Sequence, residues 1–461
     1  MSLLTHVQNL SYLLGLVLLA GVALGLRVKY IHSLHEKYGS VVRVSPDEVS
    51  ISDLPAAKEI HKVSTQFLKS RWYWESTGRQ RPGLFTTPDP HFHRMRRSLL
   101  AQPMTETGLK PMESTVNNNI QKTIDGIALE HVQTGSADVF KWFTYMATDI
   151  IGELSFAESF RMLDHVTPNQ YYYDLRSLGQ LSAYRTEIGN WCILLGALQI
   201  NPFNQAINII KRINVYAEQS YARYAKHVEE NPANPKMTLF TKLLNKEADG
   251  QLVRDDLIRE GVSYIVAGSD TTAVTTTYIV YSVCKHPAVR AKLLAELADL
   301  PEDFNWADVD KLTYLNNVIQ ETLRLFGAAP ASLKRDVPPA GAKFVGYTIP
   351  TGNIVSTQAY TFHRDPAIFK DPHTFNPDRW LDPTPDMNHA FMPFGAGTRI
   401  CIGMHLARHE MRMATAKFFL RFPDAQVLET EDAMDQEAYF LTAPKAHRCL
   451  VDLGVKNKEK A

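Results

Sequence analysis

The sequence predicts a mainly α-helical protein with a minor antiparallel β-sheet, built as one domain behind an N-terminal transmembrane helix. Three observations lead there. Residues 7–26 carry no charge, and Leu10 to Leu26 is almost wholly apolar (LSYLLGLVLLAGVALGL). Helical patterns dominate from about residue 90 to about residue 330, with short strand-like runs on either side. No long linker, low-complexity tract or repeat divides the rest, so the boundaries are residues 1–28 for the anchor and 29–461 for the main domain.

The seventeen apolar residues are at the short end of what spans a bilayer as a helix. Arg27 and Lys29 follow directly, while residues 1–9 hold neither Lys nor Arg. The positive flank keeps residues 29 onward on the cytoplasmic side. A cleaved signal peptide would begin with a basic stretch, which is absent, and a buried core helix is the third alternative. Next, Val41–Val44 and Val49–Ile51 read as strands around a turn at Pro46-Asp47. A long helix is expected over Asp255–His286, stopped by Pro287. A strand pair follows, Ala342–Val345 with Asn353–Ser356, turned by Ile349-Pro350-Thr351-Gly352. Irregular, proline- and aromatic-rich chain runs from Asp365 to Pro393.

Composition narrows the function. Of 461 residues, 45% are hydrophobic, enough for a sizeable core. Lys+Arg and Asp+Glu both number 49, so nothing overall attracts nucleic acid. The four cysteines (Cys192, Cys284, Cys401, Cys449) form no CxxC pair, which excludes a zinc ribbon or a disulfide framework and fits a reducing compartment.

Cys401 is the most informative residue. It lies in Phe394-Gly395-Ala396-Gly397-Thr398-Arg399-Ile400-Cys401-Ile402-Gly403. The glycines allow a tight turn close to a flat ligand, and the turn's N–H groups with Arg399 would hold a thiolate charged. That arrangement suits the axial ligand of a haem iron; a buried structural cysteine is the alternative. In the long helix, Ala267-Gly268-Ser269-Asp270-Thr271-Thr272 is poor helix-forming sequence. Gly268 removes a side chain where a flat ligand could approach, threonine hydroxyls can bond back to carbonyls, and Asp270 beside Thr271 could pass protons to bound dioxygen. A satisfied polar cluster in a core helix is the other reading. Glu321 and Arg324 share one face of a further helix, and Arg379 stands in Phe375-Asn376-Pro377-Asp378-Arg379-Trp380; a Glu between two arginines would pin the irregular segment before Cys401.

Together these residues resemble the cytochrome P-450 superfamily of haem-thiolate monooxygenases, over residues 30–450. The resemblance implies the cytochrome P-450 fold and haem b, with Cys401 as the thiolate ligand of its iron, favouring O–O cleavage. It implies Asp270 and Thr271 as the proton-delivering pair, and Glu321, Arg324 and Arg379 as a structural triad. His93, Arg97, Arg335 and Arg399 match the family's propionate-binding positions, and Phe394 and Gly268 its cofactor contacts. The reaction implied is insertion of one oxygen atom from O2 into a lipophilic small molecule. No dinucleotide fingerprint occurs in the chain, so electrons are expected from a separate protein, and the resemblance implies an NADPH-dependent flavoprotein reductase in the same membrane. Arg94, Arg96, Arg408, Arg412 and Lys417 are candidates for a basic docking face. The protein is expected to be a monomer, single-pass in the endoplasmic reticulum membrane with its catalytic domain cytoplasmic.

The Leu34–Glu48 passage is similar to membrane-anchored enzymes of filamentous fungi that serve natural-product and toxin biosynthesis. Such members usually have a proline-rich hinge and a short helix before the first strands; here the first proline is Pro46. Substrate-pocket segments are expected at Arg71–Pro88, Leu195–Pro202, Ala328–Leu333 and Ala438–Thr442, including Trp72, Tyr73, Phe85 and Phe440. Two rival functions are a haem-thiolate isomerase or dehydratase, which tends to lose the acid-threonine pair, and a non-catalytic haem sensor, which has no need of it.

Overall fold

The computed structural model describes residues 26–76, 81–166, 170–174, 177, 190–201, 203–232, 236–250, 252–439 and 441–454. The expected anchor therefore lies almost wholly outside the described residues. Among them, no helix is long and apolar enough to cross a membrane.

The first described element is α1 (Arg27–Tyr38), which buries Val28, Ile31 and His35 at helical spacing. The short helix before the strands is thus present, without a proline hinge ahead of it. Strands β1 (Val41–Ser45) and β2 (Glu48–Ile51) form the expected hairpin. Helix α2 (Leu54–His61) starts at Asp53, whose side chain accepts the Ala56 N–H at 2.9 Å. Helix α3 (Pro90–Ala101) is capped in the same way by Asp89, with proline at its first position. Helices α4 (Glu113–Thr134), α5 (Val139–Phe156) and α6 (Phe203–Glu230) then lead to α7 (Arg254–Lys285).

Helix α7 has 32 residues, about 48 Å of helix at 1.5 Å per residue. Its close neighbour is α5, which is apolar and buried nearly all round, as a helix enclosed by others must be. Two glycines of α7 set their approach. A Cβ on Gly261 would lie 2.7 Å from the Phe156 ring, and one on Gly268 would lie 2.8 Å from Ile151 Cγ1. Both distances are below ordinary contact, so only glycine lets the two helices come this close.

Helix α8 (Thr313–Phe326) precedes β3 (Ser332–Asp336). The expected pairing of Ala342–Val345 with Asn353–Ser356 is corrected by the structure. Strand β4 (Ala342–Phe344) pairs with β5 (Tyr347–Ile349) across a two-residue turn, where Val345 has φ 50° and Gly346 φ 81°. Two residues of positive φ make the tight hairpin that twisted strands favour. Strand β6 (Ile354–Gln358) joins the first sheet instead, in the order β1-β2-β6-β3. It runs antiparallel to β3 and parallel to β2, so this sheet is mixed rather than purely antiparallel. Irregular chain then leads to the cysteine loop and helix α9 (Met404–Arg421).

Candidate active site

The cysteine loop is a set of local turns. Gly395 donates its N–H to Met392 O at 3.0 Å, and Cys401 donates to Phe394 O at 2.8 Å. Gly395 and Gly397 take φ of 75° and 62°, which side-chain-bearing residues rarely adopt. At Gly397 there is a second reason: a Cβ there would lie 1.9 Å from the carbonyl oxygen of His61 at the end of α2. The loop is thus seated on the N-terminal sheet unit, and no side chain fits between them. Cys401 lies deep in the fold, yet its side chain is exposed, so what it faces is an internal space. Burial pushes its thiol pKa up, while the Gly403 N–H and Arg97 draw it back down.

Beside this loop is a cavity of about 580 Å³. Basic groups dominate its polar wall: Lys69, His93, Arg94, Arg97, Arg335 and Arg399, together with Thr398 of the loop and, among the described residues, no aspartate or glutamate. Arg97 donates to Ile400 O at 2.8 Å and Arg399 to Thr87 O at 2.9 Å, which tie α3 and the preceding loop to the cysteine segment. Arg335 is buried on β3. The crowding shows in the ionisation. Burial, then Arg335 and Arg97, bring Arg399 down to about 10. Burial, then Arg399, Arg97, Lys69 and Arg335, bring His93 down to about 3. Lys69 is held well below the ordinary lysine value by burial, Arg335 and Arg399. Its ammonium sits 4.1 Å from the Tyr73 ring centre and 3.7 Å from that of Phe85. His61, with Nε2 on Thr357 Oγ1 at 2.6 Å, leaves Nδ1 without a partner among the described residues at the same wall. Cations that depress one another and a buried ring nitrogen with no partner are what an anionic ligand would relieve.

Asp270 and Thr271 lie half-buried in the middle of α7. Thr271 Oγ1 donates to Ala267 O at 2.8 Å, and Thr275, Thr276 and Thr277 bond back in the same way. Ala267 is exposed although most of α7 around it is buried, so the helix opens onto space one turn before Thr271. Tyr264, a further three residues back, is within electrostatic reach of both Cys401 and Arg97, so this stretch of α7 faces the cysteine loop. Gly268 is accounted for otherwise. Its missing side chain makes room for Ile151 of α5, and the expectation that it admits a flat ligand is corrected.

The structure brings Glu321, Arg324 and Arg379 together with full burial of the carboxylate. Glu321 Oε1 accepts from Arg324 Nη2 at 2.8 Å, Arg379 Nε at 3.0 Å and the Asn376 N–H at 2.9 Å. Oε2 accepts from Arg324 Nε at 2.9 Å and Trp380 Nε1 at 3.0 Å. Arg324 also donates to the carbonyls of His363 and Pro372, both at 2.6 Å. His363 carries the connection onward: Nδ1–H donates to Arg324 O at 2.9 Å, and Nε2 accepts the Met392 N–H at 3.1 Å. Met392 in turn accepts from Gly395, so an unbroken chain of bonds runs from Glu321 to the cysteine loop.

The model of the cytochrome P450 family matches residues 7–451. The chain belongs to this family. It is 46% identical over 445 residues to the cytochrome P450 monooxygenase tazI of Aspergillus terreus, covering 95% of this chain and 91% of that protein. It is 43% identical over 433 residues to the monooxygenase orf2 of Aspergillus niger, covering 93% and 88%. To aflV of Aspergillus parasiticus it is 33% identical over 444 residues, covering 93% and 86%. As a P450 monooxygenase it works with haem b, dioxygen and reductase-supplied electrons from NAD(P)H.

The residues present fit that cofactor. A thiol facing internal space, a carboxylate-free basic wall beside it and a helix with an open alanine opposite match an iron porphyrin with two propionates. Residues that sequence reasoning missed are Lys69 and His61. Lys69 reads as an ordinary loop lysine; the available signal was the neighbouring Trp72-Tyr73-Trp74 cluster, an apolar setting for a lone ammonium. Tyr73 and Phe85, expected in a substrate pocket, flank Lys69. Phe394 is half-buried with the Arg408 guanidinium 5.7 Å from its ring centre. Phe440 lies outside the described residues. The proposed basic docking face loses two members: Arg96 is buried and paired with Asp256, and Arg412 is buried and paired with Asp310 at 2.8 Å.

Proposed function

We propose that Cys401 ligates the haem iron as a thiolate, and that Lys69, His93, Arg97, Arg335 and Arg399 hold the propionates. The observation that carries this reading is the cavity beside the cysteine loop, whose basic groups lower one another's pKa and have no carboxylate among them. Haem bound there supplies dioxygen binding and transfer of a single oxygen atom to an organic substrate. The chain's own residues do the rest. Arg97 and the Gly403 N–H stabilise negative charge on the Cys401 sulfur against its burial. The glutamate-centred bonds fix the loop that carries it. Asp270 supplies protons on the α7 side, and the Thr271 hydroxyl, resting on Ala267 O, positions them.

The substrate we infer is a lipophilic secondary metabolite, oxidised in a tailoring step of a fungal natural-product or toxin pathway. Residues 1–28 would anchor the monomer in the endoplasmic reticulum membrane, with residues 29–461 cytoplasmic beside an NADPH-dependent flavoprotein reductase. The test is turnover of the full chain with reductase, NADPH and a panel of fungal metabolites. Product that needs both NADPH and dioxygen supports the reading; product formed without them would replace it with an isomerase. Thr271→Ala is expected to keep the carbonyl-complex spectrum, yet form about a hundredfold less product, with the reducing equivalents released as hydrogen peroxide. Coupled wild-type turnover in that variant would remove Thr271 from the proton path.

A further inference from the structure

Glu260 is a buried carboxylate outside the cysteine loop, its cavity and the Glu321 cluster. It lies on α7, 1% exposed, and its Oε1 accepts the Leu84 N–H at 2.8 Å. Its Oε2 has no partner among the described residues. An acid buried in this way is costly unless it holds something. What it holds is a braced turn. Thr87 N–H donates to Gly83 O at 3.1 Å and Gly83 N–H to Thr86 Oγ1 at 3.0 Å, so residues 83–87 move as a unit. Glycine at 83 leaves room for the acid, since a Cβ there would stand 3.4 Å from both carboxylate oxygens. The far side of the turn reaches the basic cavity. Thr87 O accepts from Arg399 Nη1 at 2.9 Å, and the Phe85 ring centre lies 3.7 Å from the Lys69 ammonium. One hydrogen bond and one short turn thus join Glu260 to two of the cavity's cations.

We propose that Glu260 is a positioning residue for the anionic edge of the cofactor: through the Leu84 N–H it seats the Gly83–Thr87 turn, and the seated turn holds Arg399 and Lys69 in place. This rests on the reading of Lys69 and Arg399 as propionate partners. The seat is linked to protons. Around Glu260 stand Asp256, Arg259 and Tyr264 on α7 and Arg96 on α3, which pairs with Asp256; Arg81 also lies 3.9 Å from Asp256. Burial, opposed by the Leu84 N–H and Arg96, brings Glu260 up from 4.5 to about 7. With the turn lifted, the acid meets water and returns toward 4.5. The seat is therefore firmest below pH 4.5, loosens as pH rises to about 7, and changes little beyond it.

The test follows haem rather than turnover. Full-length holoprotein is mixed with excess apomyoglobin as haem acceptor, and hydrogen exchange is measured at the Leu84 amide. Glu260→Ala removes the acceptor and is expected to speed both haem loss and Leu84 exchange about tenfold, the worth of one charge-assisted hydrogen bond. Exchange in the body of α5 should stay at wild type, which a general loss of stability would not allow. Glu260→Gln keeps a carbonyl for Leu84 and cannot ionise, so it is expected to restore slow exchange. The ratio of wild-type to Glu260→Gln haem-loss rates cancels effects common to both, and should rise about tenfold from pH 6 to pH 8. That ratio carries the test alone should the alanine variant fail to fold, and a flat ratio would overturn the proposal. Wild-type Leu84 exchange in Glu260→Ala would also overturn it. Fast exchange with wild-type haem loss, alongside fast haem loss from Lys69→Met, would overturn the link to the cofactor and leave the propionate reading in place. Wild-type haem loss from both Lys69→Met and Arg399→Ala would overturn that reading, and the proposal with it.

Discussion

Cys401→Ser is expected to abolish the red-shifted Soret band of the reduced carbonyl complex and, with it, all NADPH-driven oxygenation. The substitution exchanges sulfur for oxygen and little else. The Cys401 N–H bond to Phe394 O at 2.8 Å is a backbone bond and survives, as do the positive φ angles of Gly395 and Gly397. The serine variant should therefore fold and keep the basic cavity that would grip the propionates. What it loses is a sulfur that iron can bind as a thiolate. Arg97 and the Gly403 N–H oppose the burial of the thiol, but an alcohol starts far too high for them to matter. A neutral oxygen donates far less charge to iron than a thiolate, and the red shift depends on that donation. Spectra of the reduced carbonyl complex, recorded at matched haem content, decide the matter. An unaltered band would mean that the iron takes its ligand from elsewhere.

The second large effect is expected from Glu321→Gln. Every donor at this site points at the carboxylate: two guanidiniums, the Trp380 indole and the Asn376 amide. Glutamine keeps the shape, but it turns one acceptor into an N–H₂ group that faces donors, and it leaves Arg324 and Arg379 without their counter-charge. Arg324 and Glu321 side chains are both 0% exposed, so water cannot compensate. Breaking a buried pair of this kind costs about 3–5 kcal/mol. The loss should be felt locally first, because the chain of bonds through His363 and Met392 ends at the cysteine loop. We therefore expect a denaturant midpoint lowered in line with that energy, and haem that is lost or bound without the red-shifted carbonyl band. A variant with the wild-type midpoint and spectrum would show that the loop holds its shape without the glutamate.

Much of this site could be read from the chain because its residues violate local rules. A helix carrying Gly268, Asp270 and clustered threonines, or a loop with three glycines around one cysteine, is poorly explained by propensity alone, and such places invite a chemical reading. Residues whose role depends on long-range neighbours could not be read. Lys69 becomes a cavity cation only because β3 brings Arg335 to it and aromatic rings close over its ammonium. Arg96 and Arg412 look like surface charge in their helices, and only the fold supplies Asp256 and Asp310. The exchange of strand partners has a similar origin. Val345-Gly346 can form a tight hairpin, and so can Pro350-Thr351-Gly352, and which strands pair is settled by the place β6 takes between β2 and β3. Gly268 violates a local rule for a packing reason rather than a chemical one, so the sequence signal was real and its explanation was different.

The contact between Gly397 and the His61 carbonyl has a bearing on biogenesis. The cysteine loop closes against chain made near the start of synthesis, and the parallel pairing of β2 with β6 joins the same two distant stretches. Non-local closures of this kind come late, after the loop-closure entropy between the segments has been overcome. The cofactor seat is therefore completed only once the cysteine loop has been made and has folded back on α2.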